Sequence, residues 1–244
     1  MNAYATAPAA GRPPVRVRAT LDAPLSRWLW LVKWILAVPH LVVLAFLWTA
    51  FVLAGIAAGF AILFTGRSPR PLFDFQAGVL RWTWRVAYYA YGTLGTDRYP
   101  PFSLGEEPSY PARLDIVYPE RMSRGLVLVK WWLLALPHYL VVGVLLGGLH
   151  LGWWGGTGLI ALLSVFAGVA LLFTGAYPPG LFDLVVGLNR WVLRVAAYVG
   201  LMTDEYPPFR LDLGGTEPTA DVVRGGEPGG EPGDEPGGEP GTKA

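Results

Sequence analysis

Two long stretches of the chain carry almost no polar residue. Between Arg27 and Arg67 the one charge is Lys33, and between Arg124 and Asp183 it is Lys130. A soluble core helix shows a polar stripe, and neither run has one. A crossing helix needs about 20 apolar residues, and each run has room for two. The second is divided by a Gly-rich cluster, "GGLHLGWWGGTG" (147–158), which reads as a turn. The first lacks that cluster, and a tight turn near Leu47–Ala50 would divide it. The expected spans are therefore 27–46, 49–65, 125–147 and 157–174.

Each run ends in nearly the same phrase, "FTGRSPRPLFDF" (64–75) and "FTGAYPPGLFDL" (173–184). The prolines forbid continuation of the helix and turn the chain. New helices are expected over 72–94 and 181–201. In the first, Asp74, Arg81 and Arg85 share one face by their spacings of seven and four, while Trp82, Val86 and Tyr89 populate another. Asp183, Arg190 and Arg194 repeat the pattern. Such helices read as amphipathic and interfacial, with Arg toward lipid phosphates. Alternating stretches, "VRVRATL" (15–21) and "RLDIVY" (113–118), precede each first span. They read as strands that pair with each other or with the segments after "YPPF".

The match between halves extends well beyond that phrase. "LVKWILAVPH" (31–40) pairs with "LVKWWLLALPH" (128–138), and "TDRYPPFSL" (96–104) with "TDEYPPFRLDL" (203–213). This is an internal duplication, with repeats at 13–105 and 110–213. Every Arg lies before a first span, after a second span or between the halves. By the positive-inside rule, both termini and the inter-repeat segment are then cytoplasmic. The expectation is an all-α integral membrane protein. Its four spans form two parallel-repeat hairpins, each followed by an interfacial helix, with a small cytoplasmic sheet. The repeat axis would run along the membrane normal.

Charge adds a division. From Glu217 onward there are seven acidic residues against two basic ones, in a Gly-Glu-Pro tail; the rest holds 17 basic against 11 acidic. Residues 214–244 and 1–12 read as disordered. The first twenty-odd residues have no apolar core of the kind a cleavable signal needs. The absence of Cys excludes disulfides and thiolate chemistry.

The set "VKW…PH…FTG…P…LFDF…RW…R…TDRYPPF" resembles the bacterial membrane family catalogued as domain of unknown function 4389, twice in tandem. The resemblance implies a membrane location and brings no activity or catalytic residue with it. "GAYPPG" in the second half lacks counterparts of Arg67 and Arg70.

The candidate sites follow from these placements. His40 and His138 stand inside the expected spans, where an ionisable group is a functional candidate, although a structural role beside Pro39 and Pro137 is the favoured reading. Two His without a carboxylate nearby make a poor metal site. Lys33 and Lys130 would snorkel to headgroups. Arg81, Arg85, Arg190, Arg194, Asp74 and Asp183 would form faces that combine salt bridges with lipid-phosphate contacts. Asp97 and Asp204 read as turn residues. No catalytic signature is present, and no cofactor or metal is expected. The expected function is a non-enzymatic scaffold of the bacterial inner membrane. It would engage anionic lipid or a membrane partner, and not nucleic acid. The alternative is a small transporter or channel using His40 and His138. The sequence assigns no oligomeric state.

Overall fold

The computed structural model describes residues 13–148 and 158–215. The N-terminal dozen residues, most of the Gly-rich cluster with His150, and the acidic tail fall outside that range. In chain order the elements are β1 (Val15–Ala19), α1 (Trp30–Leu36), α2 (Val38–Thr65), α3 (Arg70–Ala90) and β2 (Ala112–Ile116). The second half supplies α4 (Arg124–Val129), a π-helical turn (Lys130–Leu134), α5 (Leu136–Leu146), α6 (Leu159–Thr174) and α7 (Pro179–Val199). The mostly helical architecture and the small sheet agree with the sequence reading. The hairpins do not.

The turn expected near Leu47–Ala50 is absent, because α2 runs unbroken through it for 28 residues. The physical reason is local. "LWTA" contains no Gly or Pro, and the Thr49 hydroxyl donates back to the Ala45 carbonyl at 3.1 Å inside the helix. Of the helices described, α2 is the one long and apolar enough to cross a membrane by itself; α4 and the π turn could do so with α5 across a 48° bend.

The second half follows the same path in pieces. Lys130 bonds the Thr203 carbonyl beyond the C-terminal end of α7, whereas α6 ends at Thr174, five residues before α7 begins. A helix of 21 residues, like α7, is about 31 Å long. α5 and α6 must therefore carry the chain from one end of α7 to the other, and they cannot double back. Gly158 confirms the join, since its backbone abuts Leu145–Gly147. α5 and α6 thus continue one helical path, with Gly158 set against the end of α5.

The π turn has a similar origin. Seven residues separate Lys33 from His40, but eight separate Lys130 from His138. One surplus residue inside a helix is accommodated by an i→i+5 turn, which keeps both side chains on their inward faces.

β1 and β2 pair antiparallel, with Val17 opposite Leu114. Those two residues are equivalent in the two halves, so the pseudo-two-fold axis passes between them, perpendicular to the sheet. One sheet face is buried; the other carries Arg16, Arg18, Arg113 and Asp115. α3 lies flat along the buried face: Phe73 meets Tyr118 at 5.0 Å between ring centroids, Arg81 reaches the Leu114 carbonyl, and Tyr88 reaches the Thr20 carbonyl. On α3, α2 runs back antiparallel. Trp48 donates to Thr83 at 3.1 Å, and Gly55 faces Gln76.

The result is three layers. The sheet lies over α3 and α7, and these lie over α2 and the α5–α6 line. In the outer layer, α2 is apolar almost all round. Its buried positions (His40, Leu44, Phe51, Ala54, Ala58, Ile62) form one stripe at helical spacing, while Phe46, Leu53, Phe60 and Phe64 project outward. α3, by contrast, is buried on both sides from Gln76 onward apart from Arg81 and Thr83, which are half-buried.

Each turn between a long helix and the next closes on a left-handed glycine, Gly66 at φ 74° and Gly175 at φ 75°. A side chain there would be strained. Pro69 and Pro178 then stand as N-caps, with Pro71 and Pro179 in the first turns of α3 and α7. A guanidinium from the opposite repeat covers each glycine: Arg124 lies against Gly66 and Arg27 against Gly175. Cations there oppose the negative ends of the α2 and α6 dipoles.

Candidate functional site

The motifs shared by the two halves converge on one arrangement, built twice. In the first repeat, α1 presents Lys33 inward. Its ammonium donates to the Thr96 carbonyl at 2.7 Å and pairs with Asp97 at 2.7 Å. In the second, Lys130 donates to the Thr203 carbonyl at 2.7 Å and pairs with Asp204 at 2.6 Å. Both lysines are essentially unexposed, at 1% and 0%. They do not snorkel, and Asp97 and Asp204 are their counter-ions as well as turn residues. The other carboxylate oxygen of each Asp accepts a backbone N–H, from Ser26 and from Ser123.

About two helical turns on stands the His. Trp82 Nε1 donates to His40 Nδ1 at 3.1 Å, and Trp191 Nε1 donates to His138 Nδ1 at 3.3 Å. The accepting Nδ1 assigns the neutral imidazole its proton on Nε2. Each ring is stacked on the Phe of "YPPF", Phe102 at 3.9 Å and Phe209 at 4.4 Å between centroids. Tyr99 and Tyr206 lean on the other side, both at 4.8 Å. "TD-x-YPPF" is thus the lid of an aromatic box whose walls are His and Trp. Each box is closed within its own half. His40 and His138 do not face one another, and both Nε2 atoms are buried without a hydrogen-bond partner among the described residues.

The arginines expected to meet lipid are turned inward. Arg85 donates to the Ser103 and Gly105 carbonyls. Arg81 donates to the Leu114 carbonyl at 3.1 Å and pairs with Glu106 at 2.9 Å. Arg190 holds the carbonyls of Asp212, Val17 and Gly214, and Arg194 pairs with the Asp212 carboxylate at 2.8 Å. The reason is that α3 and α7 form the middle layer, so their polar faces meet backbone carbonyls of the sheet and of the segments after "YPPF". Burial lowers the Arg85 pKa from its usual value, with Glu107 opposing that effect. Asp74 pairs with exposed Arg70 at 3.2 Å rather than with Arg81. The Asp183 carbonyl accepts the Gly214 N–H.

These clamps cross between the halves. Arg81 of the first repeat holds β2 of the second; Arg190 of the second holds β1 of the first. Two amides add to the exchange, Gln76 Nε2 donating to the Gly200 carbonyl and Asn189 Nδ2 to the Gly92 carbonyl.

On the axis, opposite the sheet, a cavity of about 460 Å³ opens between α2 and the α5–α6 line. Its walls are contributed by equivalent pairs, Trp48 with Leu146, Phe51 with Ile160 and Val52 with Ala161; Trp84 and Leu193 help form its floor. No charged side chain among the described residues lines it. A second apolar groove of about 520 Å³ adjoins it between α2 and α4, past Gly55, Gly59 and Trp131. Sequence reading missed both spaces, because each requires knowing that α2 passes beside the other repeat. Among the described residues no three His, Asp or Glu side chains gather as a metal site requires.

A family model described as "Domain of unknown function (DUF4389)" matches residues 27–103 and again residues 128–210. No curated protein and no solved structure matches the chain.

Proposed function

The chain belongs to the DUF4389 family, which it represents twice in tandem, and from that premise we propose a lipid-engaging, non-enzymatic scaffold of a bacterial membrane. One observation carries the reading: the molecule has two unlike faces. α1, α2, α4, α5 and α6 expose large apolar side chains along their whole length, far more than a soluble surface patch holds. The opposite face is a charged sheet. Lipid is contacted by the long helices, and the cavity on the axis, continuous with that face, receives a hydrocarbon chain. Its volume lies in the range of about 300–1,000 Å³ usual for small-molecule pockets. Anionic headgroups are met by exposed arginines around the helix ends, Arg27, Arg67, Arg70 and Arg124. The half-buried Arg81 and the buried Arg85, Arg190 and Arg194 have no part in it.

Two points weigh against four spans with cytoplasmic termini. α2 has no internal turn, and α5 and α6 run in line. The transport alternative draws no support from the described residues, because His40 and His138 stand in separate boxes and the cavity has no charged wall.

The experiment is co-flotation with vesicles of phosphatidylcholine alone and with phosphatidylglycerol added, followed by native mass spectrometry. Binding to both is expected, stronger with the anionic lipid by about 1 kcal/mol per basic residue near the surface. Filling the cavity by Val52→Trp and Ala161→Trp should remove retained lipid while flotation persists. A purified protein that stays monodisperse in buffer without detergent and ignores vesicles would refute the proposal.

A further inference from the structure

The orientation of the apolar face against the charged one bears on how the chain meets a bilayer, given the lipid contact proposed above. α2 lies antiparallel along α3, and α3 lies flat along the sheet, so the long helices run parallel to the sheet plane. Trp48 meets Thr83 and Gly55 faces Gln76, while Arg81, between those levels, reaches the Leu114 carbonyl in the sheet. The charged outer face of the sheet therefore lies over the middle of α2, about 20 Å away at layer spacings of about 10 Å.

If α2 crossed the bilayer upright, the sheet would stand beside it at mid-depth. Arg16, Arg18, Arg113, Asp115 and the Arg81–Glu106 pair would lie within a hydrocarbon layer about 30 Å thick, where every ionised group is costly. Exposed arginines at both ends of α2, Arg27 and Arg98 on the side of α1 and Arg67 and Arg70 beyond Thr65, point the same way. A single crossing would leave one set on the side that the positive-inside rule disfavours.

We infer that the molecule is embedded in one leaflet without crossing: α2 and the α5–α6 line lie in the membrane plane, and the charged sheet faces water. The pseudo-two-fold axis then stands along the membrane normal, as parallel repeats allow, with the axial cavity opening into the acyl region. Both ends of each long helix are on one side of the membrane.

The native chain has no Cys, so labelling is clean. In sealed vesicles carrying the full-length protein, Ser26→Cys and Arg67→Cys mark the two ends of α2. Glu205→Cys and Ala176→Cys mark the two ends of the α5–α6 line, so the result does not depend on either variant pair folding alone. All four side chains are on exposed residues. A membrane-impermeant maleimide applied from one side should label both members of each pair, and from the other side neither. Labelling of the two ends from opposite sides would overturn the in-plane arrangement while leaving the lipid reading intact. Failure of the native protein to float with vesicles would sink both.

Discussion

Lys33 and Asp97 show what a single inward charge does in this fold. The ammonium is 1% exposed and its partner about a quarter exposed, so removing one group strands the other. Breaking a buried pair costs about 3–5 kcal/mol, and the partial opening of Asp97 puts Lys33→Met near the lower end. The double variant Lys33→Met, Asp97→Asn should recover part of that loss in detergent unfolding; no recovery would mean that the two side chains are not coupled. His40 and His138 pose a different question. His40→Phe keeps the stack on Phe102 but removes the acceptor of Trp82, for a cost of about 1–3 kcal/mol. The same change at His138 should add independently, as distant sites do. A strong coupling between them would revive the shared-site alternative. A third residue sets an acid limit: Thr96 donates to Asp22 at 2.6 Å and Arg98 at 2.9 Å, which lowers the Asp22 pKa despite some desolvation. A folded pKa below the unfolded one stabilises above the ordinary carboxylate value and loses that contribution as pH falls through the folded value. Asp22→Asn should therefore be less stable than the parent near neutrality and show a shallower loss of stability on acidification below about pH 4.

At the scale of the element, the repeated phrase was readable as a helix stop followed by a proline-started helix, and both α3 and α7 begin within two residues of expectation. The strands were readable too, by their alternation. What the pattern could not give was the fate of a run with apolar residues on every face. Such a run has no amphipathic phase, so nothing in it distinguishes one long helix from two short ones. Trp48 settles the matter in space, by reaching Thr83. The opposite error fell on α3 and α7. Their arginine faces look like solvent or lipid faces until the carbonyls of a neighbouring layer are known to meet them. The π turn offers a test at this scale. Deleting Leu133 restores the seven-residue spacing of the first repeat, and the Lys130–Asp204 pair should survive with little change in the unfolding midpoint. Deleting Leu36, where no surplus exists, should destabilise strongly because it rotates Lys33 away from Asp97.

The whole molecule is held by exchange between halves: Arg81 on β2, Arg190 on β1, Arg124 over Gly66 and Arg27 over Gly175. The duplication was visible in sequence, but this interlocking was not, since a repeat read alone looks self-sufficient. Residues 13–105 expressed alone should aggregate or stay unfolded, and co-expression with 106–215 should rescue a complex that co-purifies. A folded, monomeric single repeat would contradict the interlock. The larger consequence of the layering is the slab with one apolar and one charged face, and depth measures that most directly. Spin labels at Phe46, Leu53 and Phe60 sit seven residues apart on the outer side of α2, spanning about 21 Å of helix. Power-saturation EPR with oxygen and an aqueous relaxant gives each label's depth in the bilayer. The in-plane account predicts three nearly equal depths in the hydrocarbon, with a label at Arg113 in water. Leu53 deepest, with Phe46 and Phe60 each about 10 Å shallower toward opposite surfaces, would show a crossing helix and contradict it.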